Sequence, residues 1–300
     1  MVQPHQGHGL DAAPLPGSAT AGKRLAEPGF LRDQGDYLVT LTDAEVSKLA
    51  ADLHQARQTG VAIPPLTVQH PGMTMTDGYR VQQELVAMLT AEGERIVGYK
   101  LGLTSAPMQQ MLGVDSPDFA PVLSSHLNPD GAAVSAASFI SPRVEAEIAL
   151  VLREDLRGPD CTALDVAAAV SGAVAALEIV DSRVADWKIK LADTIADLAS
   201  SGAVVLGPAV TPAAGLDLRV LGMVLTCNGD LIATGAGAAA LGNPLQAVAW
   251  LVQTLHPLGE YLRAGQFVMT GALHAAVSII AGQNYRAEFD RLGPVGLRVR

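Results

Sequence analysis

The segment PRVEAEIALVL, residues 142–152, restricts the fold more tightly than any other stretch of this chain. Its small and branched apolar residues read as a buried strand, yet Glu145 and Glu147 stand two positions apart within it. Side chains at i and i+2 leave the same face of a strand. The two carboxylates therefore project together, while Val144 and Ile148 face the other way. Like charges on a half-buried face repel and are costly to desolvate unless a cation lies between them. Two readings stay open from this segment alone. One is an edge strand with a solvated polar face. The other is a sheet folded around a hard divalent cation such as Mg²⁺ or Mn²⁺, which takes carboxylate oxygens readily.

Residues 1–38, rich in Gly, Pro, Ala and His without helical or strand periodicity, read as a flexible leader. A single catalytic domain is expected over residues 39–300. It begins at Thr42-Asp43-Ala44-Glu45, a capping box that opens a helix to about residue 59. A second helix starts near Thr76 and carries Val81, Leu85, Met88 and Leu89 at helical spacing. Residues 96–104 then read as a strand with one lysine, Lys100, among apolar residues and glycines. A short helix with Met108, Met111 and Leu112 follows, and residues 115–121 read as a loop. Beyond the opening strand, an Ala/Val-rich helix is expected from Asp165 to about Ala176. The strand Leu177-Glu178-Ile179-Val180, with one embedded carboxylate, comes next. Asn228-Gly229 between two apolar runs predicts a type I′ hairpin and hence antiparallel pairing. Asn243-Pro244 opens a long helix, and strands and turns fill the remainder. Helices come first and strands cluster late, which is α+β with antiparallel or mixed sheets.

The formal charge of −10 argues against nucleic acid or an anionic membrane surface as partner. No apolar run reaches transmembrane length, and the first thirty residues lack the layout of a signal peptide. Cys161 and Cys227 make neither a disulfide framework nor a zinc site. A cytoplasmic protein is expected.

The ordered segments GYKLGLTS (98–105), LGVDSPDF (112–119), PRVEAE (142–147), ALEIVDSR (176–183), DWKIK (186–190), ADTIAD (192–197), Gly242-Asn243-Pro244 and Thr270-Gly271 resemble the 2-keto-4-pentenoate hydratase / 4-oxalocrotonate decarboxylase family of the fumarylacetoacetate hydrolase superfamily. The resemblance covers roughly residues 40–300. It implies a mixed β-roll with a helical N-terminal part, and one Mg²⁺ or Mn²⁺ held by Glu145, Glu147 and Glu178. It places Lys100 and Asp118 at substrate binding and proton transfer, and Lys190, Ser201, Thr270 and Gly271, with Ser200, at substrate contacts. Two departures stand out: Leu198 where many members have Asn, and Gln283 where Ala-Gly-Asp is usual.

The implied activity is hydration of 2-hydroxypenta-2,4-dienoate to 4-hydroxy-2-oxopentanoate in the catabolism of aromatic compounds. The alternative is decarboxylation of 4-oxalocrotonate, whose second carboxylate asks for an extra cation; Arg143, Arg183, Lys188 and Lys190 are the candidates. His274 is either at the distal end of the substrate or a core or rim histidine. A non-catalytic partner subunit is the minor alternative, disfavoured because all three carboxylates are present. The family also implies a homo-oligomer, and association with a sister decarboxylase or a downstream aldolase.

Overall fold

The structure is a computed structural model that describes residues 40–105, 109, 110, 114 and 116–300. The leader, and the helix expected to carry Met108, Met111 and Leu112, lie outside the described residues. Helix α1 (Asp43–Thr59) opens on the expected capping box: the Thr42 side chain accepts from the Glu45 N–H, and the Glu45 carboxylate accepts from Thr42 N–H at 2.8 Å. Gly60, at φ 66°, closes it. A single turn, α2 (Leu66–Gln69), leads to α3 (Met75–Ala91), which opens on a second capping box, Thr74 with Asp77. Leu49, Leu53, Val81 and Leu85 of α1 and α3 pack into one apolar cluster that also takes in Leu198 and Ala199 from far along the chain.

The strands follow as β1 (Ile96–Gly102), β2 (Asp118–Leu123), β3 (Leu127–Pro129), β4 (Ala132–Val134) and β5 (Arg143–Leu152). Helix α4 (Ala163–Ala169) precedes β6 (Val170–Val180), and α5 (Leu191–Ala196) precedes β7 (Ser201–Leu206) and β8 (Thr211–Pro212). The hairpin β9 (Gly222–Cys227) and β10 (Asp230–Ala236) comes before α6 (Pro244–Leu255). The chain ends in β11 (Phe267–Met269), β12 (Val277–Ser278), β13 (Asn284–Phe289) and β14 (Gly293–Val299). The larger sheet runs β2-β1-β11-β5-β6-β7-β3, with β12 on β5 and β8 on β6, and the smaller one β10-β9-β13-β14-β4. Both are mixed: β1 with β11, β3 with β7 and β14 with β4 are parallel pairs, and the rest antiparallel. This is the expected α+β arrangement with its helical N-terminal part. No helix among the described residues is long and apolar enough to cross a membrane.

Strand β5 lies inside the larger sheet, and apolar clusters pack against both its faces. Val144, Ala146, Ile148 and Leu150 join the main core with Leu225, Tyr285 and Leu297 of the smaller sheet and Leu251 of α6. Its other face carries Ala149, beside Val174 and Ala176 of β6 and Met269 of β11. The sequence-based expectations fail in two places. The helix expected to reach Ala176 stops at Ala169, and β6 starts at Val170. Alanine suits either state, and pairing with β5 from Leu152↔Val170 to Arg143↔Val180 decides for strand. The loop expected over residues 115–121 contains most of β2, whose Pro121 is tolerated because β2 is the sheet edge. The Asn228-Gly229 turn has φ of 51° and 95°, the positive values that a type I′ hairpin needs.

Candidate active site

Antiparallel pairing of β5 with β6 sets Glu145 directly opposite Glu178, with Glu147 opposite Ala176. Like charges at opposed positions destabilise a sheet. Glu145, Glu147 and Glu178 nonetheless each bring an oxygen within 4.8 Å of the others. Glu147 and Glu178 are fully buried, while Glu145 is partly open. Glu147 Oε2 accepts the Gly271 N–H at 2.8 Å. Among the described residues, Glu147 Oε1 and Glu178 Oε2 receive no hydrogen bond, and Glu178 Oε1 has only the Lys100 ammonium, 3.2 Å away. Burial and then the Glu178 charge push Glu145 up to about 7. The same two causes raise Glu147 well above 4.5, and burial raises Glu178 against the pull of Lys100. Three converging oxygen donors with orphaned lone pairs, unstable as bare anions, fit a hard divalent cation of the Mg²⁺ or Mn²⁺ kind.

Lys100, on β1, is 3% exposed. Its Nζ stands 3.2 Å from Glu178 Oε1 and donates to the Ala199 carbonyl at 2.8 Å. Burial alone would lower its pKa, but Glu178, Asp118, Glu145 and Glu147 together outweigh that and keep it a cation. The accepting carbonyl belongs to an unusual turn: Leu198, Ala199 and Ser200 have φ of 53°, 48° and 55°. Left-handed backbone costs a non-glycine residue on the order of 1 kcal/mol. Asp197 anchors the turn, accepting the Arg183 backbone N–H at 2.8 Å and its Nε at 2.5 Å. The Arg183 guanidinium also donates to the Asp197 carbonyl at 3.0 Å. Leu198 is fully buried in the helical cluster, so it holds the turn by apolar packing.

Asp118 starts β2 and is 1% exposed, with Oδ1 unpartnered among the described residues. Burial raises its pKa, against opposing pulls from Lys100 and Thr194. The carboxyl lies over the bare α-carbon of Gly102, where a Cβ would sit 2.1 Å from Oδ1.

Lys100, Asp118 and Glu145 line one cavity together with Arg143, Trp187 and Ser200. Its volume of about 150 Å³ suits a small acid rather than the drug-sized ligands of cavities of roughly 300 Å³ and more. Other expected contacts are placed elsewhere. Lys190 is exposed at the N-terminus of α5, where its backbone N–H binds Asp193 at 2.9 Å. Ser201 is buried with Oγ 3.3 Å from His126 Nδ1, away from the cavity lining. Alternation along the chain explains this: Ser200 takes the cavity side, so Ser201 takes the other. Thr270 spends its hydroxyl and its N–H on the Ile148 carbonyl, at 2.9 and 3.1 Å, and so fastens β5. Gly271 reaches the site through its backbone N–H alone.

His274 Nε2 accepts the Ala146 N–H at 2.9 Å while Nδ1 faces the Ala275 carbonyl at 2.7 Å, which fixes a neutral Nδ1–H ring. It replaces a missing neighbour strand beside the glutamates. Of the cations considered for a second carboxylate, Arg183 is held by Asp197 and Lys188 is exposed beside Asp186. Only Arg143 of that group lines the cavity. Sequence reasoning missed the pairing of Arg143 with Trp187, which no spacing rule reveals because 44 positions separate them.

The family described as fumarylacetoacetate (FAA) hydrolase C-terminal matches residues 99–300. The chain is 45% identical over 253 residues to a 2-keto-4-pentenoate hydratase of Burkholderia vietnamiensis, covering 84% of this chain and 97% of that one. It is 42% identical over 248 residues to a 2-hydroxyhexa-2,4-dienoate hydratase of Comamonas testosteroni, covering 82% and 94%. Among solved structures it is similar to 4-oxalocrotonate decarboxylase from Pseudomonas putida G7 complexed with magnesium and adipate. There the TM-score is 0.86 at 37% identity, with 88% of this chain and all of that chain (100%) covered. The chain belongs to the fumarylacetoacetate hydrolase family, among its 2-keto-4-pentenoate hydratases and 4-oxalocrotonate decarboxylases.

Proposed function

We propose that this protein is a divalent-metal-dependent hydro-lyase converting 2-hydroxypenta-2,4-dienoate to 4-hydroxy-2-oxopentanoate. The observation that carries the reading is the cluster of Glu145, Glu147 and Glu178, which opens through Glu145 onto one small cavity also lined by Lys100 and Asp118. The similarity to hydratases at 45% and 42% identity supports it. A divalent cation held by the three glutamates would supply Lewis-acid stabilisation of negative charge on the substrate 2-oxygen.

The chain's own groups divide the remaining work. Lys100, kept charged, offsets the glutamates and adds positive potential beside the reacting oxygen. Asp118, with its pKa raised by burial against the pull of Lys100, is the carboxyl placed to serve as acid and then as base. In the first step the 2-hydroxyl releases its proton to solvent as the C2–O bond becomes a carbonyl, and Asp118 gives a proton to C5, which leaves the 2-oxo-3-enoate and an anionic Asp118. In the second, Asp118 takes a proton from water as that oxygen bonds to C4. The electron pair of the C3–C4 double bond moves to C3, which takes that proton back from Asp118, and a proton from solvent restores Asp118 for the next cycle. The apolar walls Leu101, Val180 and Ile189 limit solvent around these steps.

Decarboxylation of 4-oxalocrotonate is the second reading, favoured by the structural likeness to the decarboxylase. An ultraviolet assay with Mg²⁺ and each substrate offered separately decides. Loss of dienoate absorbance is the expected result, and turnover of 4-oxalocrotonate alone overturns the hydratase assignment.

A further inference from the structure

Helix α3 turns Gly78, Tyr79 and Gln82 toward α5 and the edge of the larger sheet. A Cβ at Gly78 would stand 2.9 Å from the Ala192 carbonyl oxygen, so α3 and α5 meet almost backbone to backbone. The Tyr79 ring stacks on Phe119, with centroids 4.7 Å apart and planes at 23°. Gln82, 3% exposed, gives its amide protons to two carbonyls, Phe119 at 3.0 Å and Ile195 at 2.8 Å. Ile195 lies in the last turn of α5, where carbonyls have no partner within the helix. Phe119 follows Asp118 on β2, the strand at the sheet edge. One side chain therefore ties together the two segments that frame the acid. The first tie reaches the residue beside Asp118. The second reaches the helix that runs into the left-handed turn 198–200, whose Ala199 carbonyl accepts Lys100 at 2.8 Å and whose Ser200 lines the cavity. Thr194, beside Ile195, lines the same cavity and pulls on Asp118. Gln82 itself does not line it.

We propose that Gln82 is a positioning residue: it sets where the Asp118 carboxyl stands relative to the turn that holds Lys100, and so which substrate carbon receives a proton. This rests on the hydratase reading, in which Asp118 protonates C5 and then C3. Both deliveries come from one carboxyl, so a displacement of about 1 Å spoils both. An apolar side chain at position 82 would leave two buried carbonyls without a donor, and β2 and the end of α5 would part to reach other partners. The glutamates are spared, because the bonds of Gln82 go to neither β5 nor β6. Lys100 also keeps its contact with Glu178. The loss therefore falls on proton transfer and leaves metal binding alone.

The test uses Gln82→Met, which keeps the length of the side chain and removes both donors, in the full-length chain. With Mg²⁺ and the dienoate, kcat should fall about 100-fold, the scale of a misplacement of about 1 Å, while KM stays within about threefold. Mn²⁺ should bind with unchanged stoichiometry per chain and with affinity within about threefold of wild type. Gln82→Glu keeps the length and, when protonated, one donor; it carries the test in a better folded background, and its kcat should lie between the two. A crystal structure of Gln82→Met should show the Asp118 carboxyl moved by about 1 Å relative to the Ala199 carbonyl. A kcat within about threefold of wild type in Gln82→Met overturns the role of Gln82. So does a kcat that falls only in proportion to Mn²⁺ stoichiometry, since that is loss of folded protein, and so does an unmoved Asp118. Wild-type protein that leaves the dienoate untouched overturns the hydratase reading instead, and the position of Asp118 in the variant crystal then decides for or against Gln82 by itself.

Discussion

Removing the divalent cation should turn the three glutamates into a pH-dependent liability whose size follows from the geometry. Glu145 is pushed from 4.5 to about 7 in the folded chain, chiefly by burial and then by Glu178 opposite it. A carboxyl that binds its proton more tightly when folded favours folding at low pH. That contribution is complete below 4.5 and is lost as pH climbs through 7. At 1.36 kcal/mol per unit, the loss from Glu145 alone is about 3 kcal/mol. Glu147, raised well above 4.5, extends the loss to higher pH. His126 works in the opposite sense: burial, with Arg57 and Arg183, holds it well below 6.5, so it costs stability as pH falls. It touches none of the glutamates and contributes equally with and without metal. The informative quantity is therefore the difference between melting curves in Mg²⁺ and in chelator, recorded from pH 5 to 8.5. The stabilisation by Mg²⁺ should grow steadily over that range, by about 3 kcal/mol or more. A stabilisation that is flat, or that shrinks as pH rises, would refute the argument that these carboxylates are repelling anions in wait of a cation.

Glu147→Gln keeps an acceptor for the Gly271 N–H but removes one charge, so at pH 8 the metal-free protein should melt higher while its response to Mg²⁺ collapses. Lys100→Met leaves Glu178 buried without its counter-ion; chelator-treated protein should lose about 3 kcal/mol in denaturant melts, and hydration should fall at least about 1,000-fold. Gly102→Ala would put a methyl carbon 2.1 Å from Asp118 Oδ1, a movable atom, so melting should drop only slightly while kcat falls steeply. Gly271→Ala, at φ 109° with a Cβ 1.9 Å from Thr104 Oγ1, should instead be unstable and weaken Mg²⁺ binding by displacing the N–H that orients Glu147.

What could be read from the chain was whatever local chemistry dictates. The i, i+2 glutamates in an apolar run put two charges on one face, and the Asn228-Gly229 pair forced a hairpin. Thr42 with Glu45 opened α1 as its spacing required. What could not be read was settled by distant neighbours. The alanine-rich run 167–176 suits a helix as well as a strand, and only β5 alongside turns it into β6 from Val170 onward. Pro121 argues for a loop until the edge position of β2 is known. Lys190 and Ser201 sit within segments that resemble the family, yet each lies one step of the chain out of line with the cavity. The support beneath Lys100, a left-handed turn pinned by Asp197 and Arg183 and buried through Leu198, has no sequence signal here, since leucine rarely adopts such backbone.

The central claim is that Glu145, Glu147 and Glu178 hold the ion on which hydration depends. Proton NMR of 2-hydroxypenta-2,4-dienoate incubated with the purified protein tests it most directly, comparing Mg²⁺ with chelator, and wild type with Glu178→Gln. The expected result is 4-hydroxy-2-oxopentanoate from wild type with Mg²⁺ alone. Formation of that product at an undiminished rate in chelator, or by Glu178→Gln, would contradict it.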